Sequence, residues 1–148
     1  MNKSNPIREY FKSMIGKEPP DTAPAFSKWI NGKITALDEN SIEVEFLARD
    51  EFCNPLGSLH GGVQAAIMDE VTGMIVAAMD NEHLFVSVNL SVDFISNIRL
   101  GDSFKCRAEV IKKGKKIVNV CSQITDMKGR ILSKASANMA ATNLKTGF

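Results

Sequence analysis

Hydrophobic spacing divides the chain into a short helix, two strands, a long helix and a closing run of strands. Asn5 before Pro6 predicts a helix start, because an asparagine side chain accepts from free N–H groups and proline suits the first helical position. Ile7, Tyr10, Phe11 and Met14 then share one side, and the helix stops near Gly16. Lys17-Glu18-Pro19-Pro20-Asp21 predicts a loop. From Trp29 to Phe46 two strand-like runs surround a turn at Leu37-Asp38-Glu39-Asn40. The second run, Ile42-Glu43-Val44-Glu45-Phe46, alternates apolar and acidic residues as a half-buried strand does.

Asn54-Pro55-Leu56-Gly57 reads as a loop leading into His60-Gly61-Gly62. Beyond it, Gly62 to Met79 has no proline and predicts one helix of about 27 Å. Val63, Ile67, Val71, Met74, Ile75 and Ala78 form its core stripe at helical spacing. Ala65, Ala66, Asp69, Thr72, Gly73 and Ala77 form a second stripe of small residues with one carboxylate in its middle. After His83 the period becomes two, with Val86, Val88, Leu90, Val92 and Phe94 on one face and Ser87, Asn89, Ser91 and Asp93 on the other. Strands at about Ser103–Lys112, Lys115–Thr125 and Arg130–Thr142 follow, with turns at Gly114 and Lys128-Gly129. The pattern predicts an α+β fold, an antiparallel sheet with helices on one face. Residues 1–28 are expected to form an N-terminal helix and loop, and 29–148 a single domain.

Composition narrows the classes. Among 148 residues, Lys and Arg total 18 against 17 for Asp and Glu. That balance argues against broad nucleic-acid binding, which needs excess positive charge to displace counterions from phosphates. No apolar run is expected to reach bilayer length, and the polar start Met1-Asn2-Lys3-Ser4-Asn5-Pro6 lacks the apolar core of a secretory signal. Cys53, Cys106 and Cys121 are scattered, which fits free thiols in a reducing compartment better than a disulfide framework or a zinc pair. The expectation is a cytoplasmic protein with neither membrane nor nucleic-acid partner.

Asn54-x2-Gly57-x2-His60-Gly61-Gly62-x6-Asp69 carries the candidate chemistry. Glycines at a helix start admit close approach to the backbone. The first N–H groups of a helix lack intrahelical partners and sit at the positive end of its dipole. Aimed at a thioester carbonyl, they would stabilise the oxyanion formed on attack. A carboxylate can then activate water as general base or attack the acyl carbon itself. Singly, Asp69 also fits a solvated helix position and His60 a structural histidine; it is their conjunction that points to chemistry.

These residues resemble the hotdog-fold thioesterases of the phenylacetate-pathway (PaaI-like) type. The resemblance runs from about Trp29 to Asn143, anchored by Asn54, His60-Gly61-Gly62, Asp69 and the run Phe85-Val86-Ser87-Val88-Asn89-Leu90. It implies a curved antiparallel sheet wrapped around the long central helix, and subunits joined edge to edge as a dimer, or a tetramer built from dimers. It implies hydrolysis of acyl-CoA to a carboxylic acid and coenzyme A, with no cofactor beyond the coenzyme A of the substrate and no metal. Asp69 would be general base or nucleophile, and the Gly61 N–H would polarise the carbonyl, with Gly62 also at the substrate. Asn54 would help hold the attacking water, His60 would orient the thioester region, and Ser87 would support Asp69 or the water. A non-catalytic acyl-CoA-binding hotdog protein is the alternative.

Lys112-Lys113-Gly114-Lys115-Lys116 concentrates four charges at one turn. It reads either as a solvated turn that deters edge pairing or as a coenzyme A phosphate patch using Lys113, Lys115 and Lys116. Glu70 points about 100° away from Asp69 around the helix and is expected to be structural.

Overall fold

The computed structural model describes residues 4–80 and 82–145. The polar start at 1–3 and the last three residues of the expected domain, 146–148, lie outside them. Helix α1 (Pro6–Ser13) begins where the Asn5-Pro6 pair predicts. Asn5 Oδ1 accepts from the N–H of Ile7 at 2.9 Å and of Arg8 at 3.1 Å. Asn5 Nδ2 donates to the Ala77 carbonyl at 3.1 Å, which ties α1 to the end of the long helix.

Trp29 and Ile30 do not open a strand, as expected from their apolar character, but close a second helix, α2 (Ala25–Ile30). Pro24 precedes it and Asn31 ends it in the left-handed region at φ 53°, the usual punctuation of a helix. The Trp29 ring packs edge-on against Phe52, centroids 4.9 Å apart, instead of lying along a sheet.

Six strands follow: β1 (Lys33–Leu37), β2 (Ser41–Leu47), β3 (Phe85–Phe94), β4 (Ser103–Lys113), β5 (Ile117–Asp126) and β6 (Ile131–Ala141). The long helix α3 (Gly61–Met79) lies between β2 and β3 in sequence. All pairings are antiparallel, in the order β1-β2-β4-β5-β6-β3. Alternation places Ile42, Val44 and Phe46 of β2 in the core, with Phe104, Cys106 and Ala108 of β4 and Val118, Val120 and Ile124 of β5. The opposite face is polar, with Lys105 paired to Glu43 at 2.8 Å and Arg107 to Glu109 at 2.6 Å.

The α+β class stands, but the expected wrapping of the sheet around the helix does not. The strand order is open: β1 and β3 are its two edges and do not pair with each other. Helix α3 lies against one face, touching β2 to β6, and is not enclosed. The reason lies in its side chains. Ile67, Met68, Val71, Thr72, Ile75, Val76 and Ala78 are buried, while Ala66, Asp69, Gly73 and Ala77 remain half-exposed. These groups offer too little apolar surface to draw the two edges together over them.

Contrary to the expectation that no apolar run reaches bilayer length, one helix does. Helix α3, at 19 residues, is long and apolar enough to cross a bilayer on length and composition alone. Here its apolar side is the core of the fold.

Candidate active site

The loop before α3 is built by Asn54. Its Oδ1 accepts from the N–H of Leu56 at 3.0 Å, the N–H of Ser58 at 3.2 Å and the Ser58 hydroxyl at 3.2 Å. Gly57 completes the turn at φ 73°, a conformation that suits glycine. Phe52 and Ile98 anchor the far side, where the His60 N–H donates to the Phe52 carbonyl at 2.8 Å and the Leu59 N–H to Ile98 at 3.0 Å. The Asn54 carbonyl end is thus spent on the turn, and its Nδ2 is the part left to meet another group.

Helix α3 begins one residue earlier than expected, at Gly61, with His60 as its cap. His60 Nδ1 accepts from the Gly62 N–H at 2.9 Å, so the neutral ring carries its proton on Nε2. The N–H groups of Val63 and Gln64 both reach the His60 carbonyl at 3.0 Å. The Gly61 N–H alone in this first turn has no acceptor among the described residues. An unpaired donor at the positive end of a 19-residue helix is suited to an anionic oxygen.

Asp69 stands in the middle of α3, and Ser87 Oγ donates to its Oδ1 at 2.6 Å. Strict alternation along β3 would put Ser87 on the face opposite Leu90, and that is the pattern the sequence predicts. The strand departs from it by a bulge. Ser87 pairs with Met139 and Asn89 with Asn138, so Val88 is an extra residue that β6 does not match. The phase shifts by one, and Phe85, Ser87, Leu90, Val92 and Phe94 share the helix side. Val86 and Asn89 face away from it. Between the two elements, Ala65, Ala66 and Asp69 of α3 and Ser87–Leu90 of β3 line an open cavity of about 380 Å³.

Two separate clusters therefore emerge. Asn54, His60, Gly61 and Gly62 gather at the start of α3, while Asp69 and Ser87 sit two turns further on. Gly61 and Asp69 are eight positions apart, about 12 Å of helical rise.

The lysine turn is elsewhere. Lys113 Nζ donates to the Met79 carbonyl at 2.9 Å and lies 3.8 Å from Asp80, closing the far end of α3. Burial opposes ionisation of Asp80, but the N–H groups of Glu82 and His83, with Lys113 nearby, hold its carboxyl below the usual range. Lys115 and Lys116 are exposed and have no carboxylate partner among the described residues. Glu70 accepts from the Ser27 hydroxyl at 2.5 Å and so joins α2 to α3, the structural role expected of it.

Cys106 is buried, which pushes its thiol well up, and burial also raises that of Cys53. No group of three or more His, Cys, Asp or Glu able to hold a metal occurs among the described residues. Sequence reasoning did not single out Phe94, whose ring lies against Gly61, since no local pattern links residues thirty-three apart.

The profile of the Thioesterase superfamily matches residues 56–133. Human acyl-coenzyme A thioesterase 13 is 28% identical over 122 residues, covering 81% of this chain and 82% of its own. Among solved structures, a phenylacetic acid degradation-related protein of Ralstonia eutropha JMP134 superposes with a TM-score of 0.76 at 30% identity, over 88% of this chain and 98% of that one. A Streptococcus mutans UA159 protein bound to acetyl CoA shares the fold, with a TM-score of 0.75 at 19% identity over 86% of this chain and 98% of that one.

Proposed function

This chain belongs to the Thioesterase superfamily, as a hotdog-fold relative of the PaaI-like and acyl-coenzyme A thioesterase 13-like enzymes, and from that premise we propose that it hydrolyses acyl-CoA thioesters to a carboxylic acid and free coenzyme A. The observation that carries this reading is the Ser87–Asp69 hydrogen bond of 2.6 Å at the wall of an open cavity. Ser87 holds one carboxylate oxygen and leaves the other to act. As general base, Asp69 takes a proton from water, and the hydroxide attacks the thioester carbon. As nucleophile, it attacks that carbon directly, and water then hydrolyses the mixed anhydride. In both routes the carbonyl oxygen becomes an oxyanion, for which the unpartnered Gly61 N–H is the donor. Collapse of the tetrahedral species expels the coenzyme A thiolate.

Asn54 offers Nδ2, and His60 its Nε2–H, to the thioester region or the attacking water. Acetyl CoA bound to the Streptococcus mutans protein that shares this fold is consistent with a CoA ester as the substrate class. A carbonyl has to lie within roughly 3 Å of its donor, so a separation of about 12 Å along one helix favours a site shared by two copies. In that arrangement Gly61 of one copy faces Asp69 of the other across the small-residue side of α3. The unpaired β3 edge, with Val86 and Val88 exposed, suits a second copy.

Thiol release from a panel of short, long and aryl acyl-CoAs tests the proposal. Asp69→Asn keeps shape but removes the base, and turnover should fall by a factor of ~10² to 10⁴ with folding preserved. Activity within a few-fold of wild type would remove Asp69 from the mechanism. Binding of acyl-CoA without thiol release would leave a non-catalytic binder instead.

A further inference from the structure

We propose that Phe94 is a positioning residue of the thioester site, acting through Gly61. The inference rests on the reading of Gly61 as oxyanion donor. Neither Gly61 nor Gly62 has a positive φ, so backbone conformation does not explain the doubled glycine. Both open α3, immediately after its cap. Space explains them. A Cβ on Gly61 would meet Phe94 Cε1 and Cζ at 3.2 Å, and one on Gly62 would meet the His60 ring at 3.1 Å. Two rings, one from the end of β3 and one from the helix cap, flank the first turn of α3.

Phe94 is not there to fill the core. It is 57% exposed, although its partner Ser133 is fully buried. The covered part of its ring faces the Gly61 α-carbon. A ring seated there fixes the peptide that carries the Gly61 N–H and keeps side chains and water from crowding that side. An oxyanion donor must be held before charge develops, since reorientation during the reaction would forfeit its advantage. The glycine at position 61 is therefore the imprint of the ring at position 94.

The test is a double-variant comparison with hexanoyl-CoA and phenylacetyl-CoA, measuring kcat and KM separately and checking folding by melting. Gly61→Ala keeps the N–H and adds only a methyl group, so the loss it causes is one of position. Admitting the methyl group at 3.2 Å from the ring asks the two to part by a few tenths of an ångström, and kcat should fall by up to about 10²-fold, the cost of losing an oxyanion donor, with KM nearly unchanged. Phe94→Leu should lower kcat about tenfold by loosening the donor, and Phe94→Tyr, which keeps the ring, should regain most of that loss. The double variant Gly61→Ala/Phe94→Leu should be about tenfold faster than Gly61→Ala alone, because the methyl group then has room. A double variant no faster than Gly61→Ala, with Asp69→Asn still inactive, overturns the inference and leaves the thioesterase reading intact. Full activity in Asp69→Asn instead overturns the parent reading. The contact itself is read by NMR independently of turnover. Gly61 proton shifts that stay the same in Phe94→Leu would mean that no ring lies over Gly61, which also overturns the inference.

Discussion

Subunits carrying Gly61→Ala, mixed with subunits carrying Asp69→Asn, should recover activity that neither has alone. The two residues are eight apart on α3, about 12 Å along the axis, whereas an oxyanion donor and a base proposed to act together must reach the same carbonyl within roughly 3 Å. Two helices running antiparallel across a two-fold axis would bring Gly61 of one copy to Asp69 of the other. In a hybrid dimer one site collects both lesions and the other collects none. Random pairing makes about half of the dimers hybrid, each with one working site of two, so about a quarter of wild-type activity should return. The donor-end lesion is better placed at Gly61 than at Asn54, whose Oδ1 holds three groups of its own loop and whose loss would disturb the turn. The assay is thiol release after co-refolding, with exchange of subunits verified by native mass spectrometry. Mixtures confirmed as hybrid yet no more active than either parent would refute the shared site.

Three further outcomes follow from individual contacts. Ser87→Ala removes one hydrogen bond to a charged group, about 1–2 kcal/mol after allowance for solvent, so kcat should drop about 5- to 30-fold; an unchanged kcat would detach Ser87 from the reaction. The lysines should divide: Lys113→Ala should lower the melting temperature by unpairing the end of α3, while Lys115→Ala with Lys116→Ala should raise KM at low salt and leave kcat alone, and an unaltered KM would return the turn to a solvated role. Glu43 is held below its ordinary value of 4.5 chiefly by its hydrogen bond from Lys105. Its contribution, about 0.5–1 kcal/mol, is present above that value and lost as pH falls through the lower folded one. Glu43→Gln should therefore be less stable at neutral pH and equal to wild type in strong acid; a gap that persists in acid would contradict the assignment.

Where the sequence could be read correctly, one local period decided the structure. Ile42, Val44 and Phe46 alternate with glutamates and are buried alternately, and α3 runs without proline from its glycines to Met79. The cap at Asn5 was equally plain, because it involves only neighbours. Misreadings arose where a distant partner overruled the local pattern. Trp29 was the exception: Pro24 and Asn31 punctuate a short helix around it, and those local signals were passed over for its apolar character. The alternation separates Ser87 from Leu90, because the bulge that joins them on one face is defined by β6, not by β3. The wrapped sheet came from resemblance rather than from the residues, and the strand order shows an open one. The lysine turn looked uniform in sequence, but Met79 and Asp80 take Lys113 out of it.

The bulge also bears on how this strand can change length. Val88 is the residue that β6 does not count, since Ser87 and Asn89 face successive partners. Deleting it would join those neighbours into a regular strand, with Ser87 still toward Asp69 and Leu90 still toward the core. The ladder would close without moving either. What disappears is a side chain at the cavity wall. Gaps and insertions at this point are therefore a way to reshape the cavity that leaves the Ser87–Asp69 pair in place, whereas a gap one residue earlier would remove Ser87 itself.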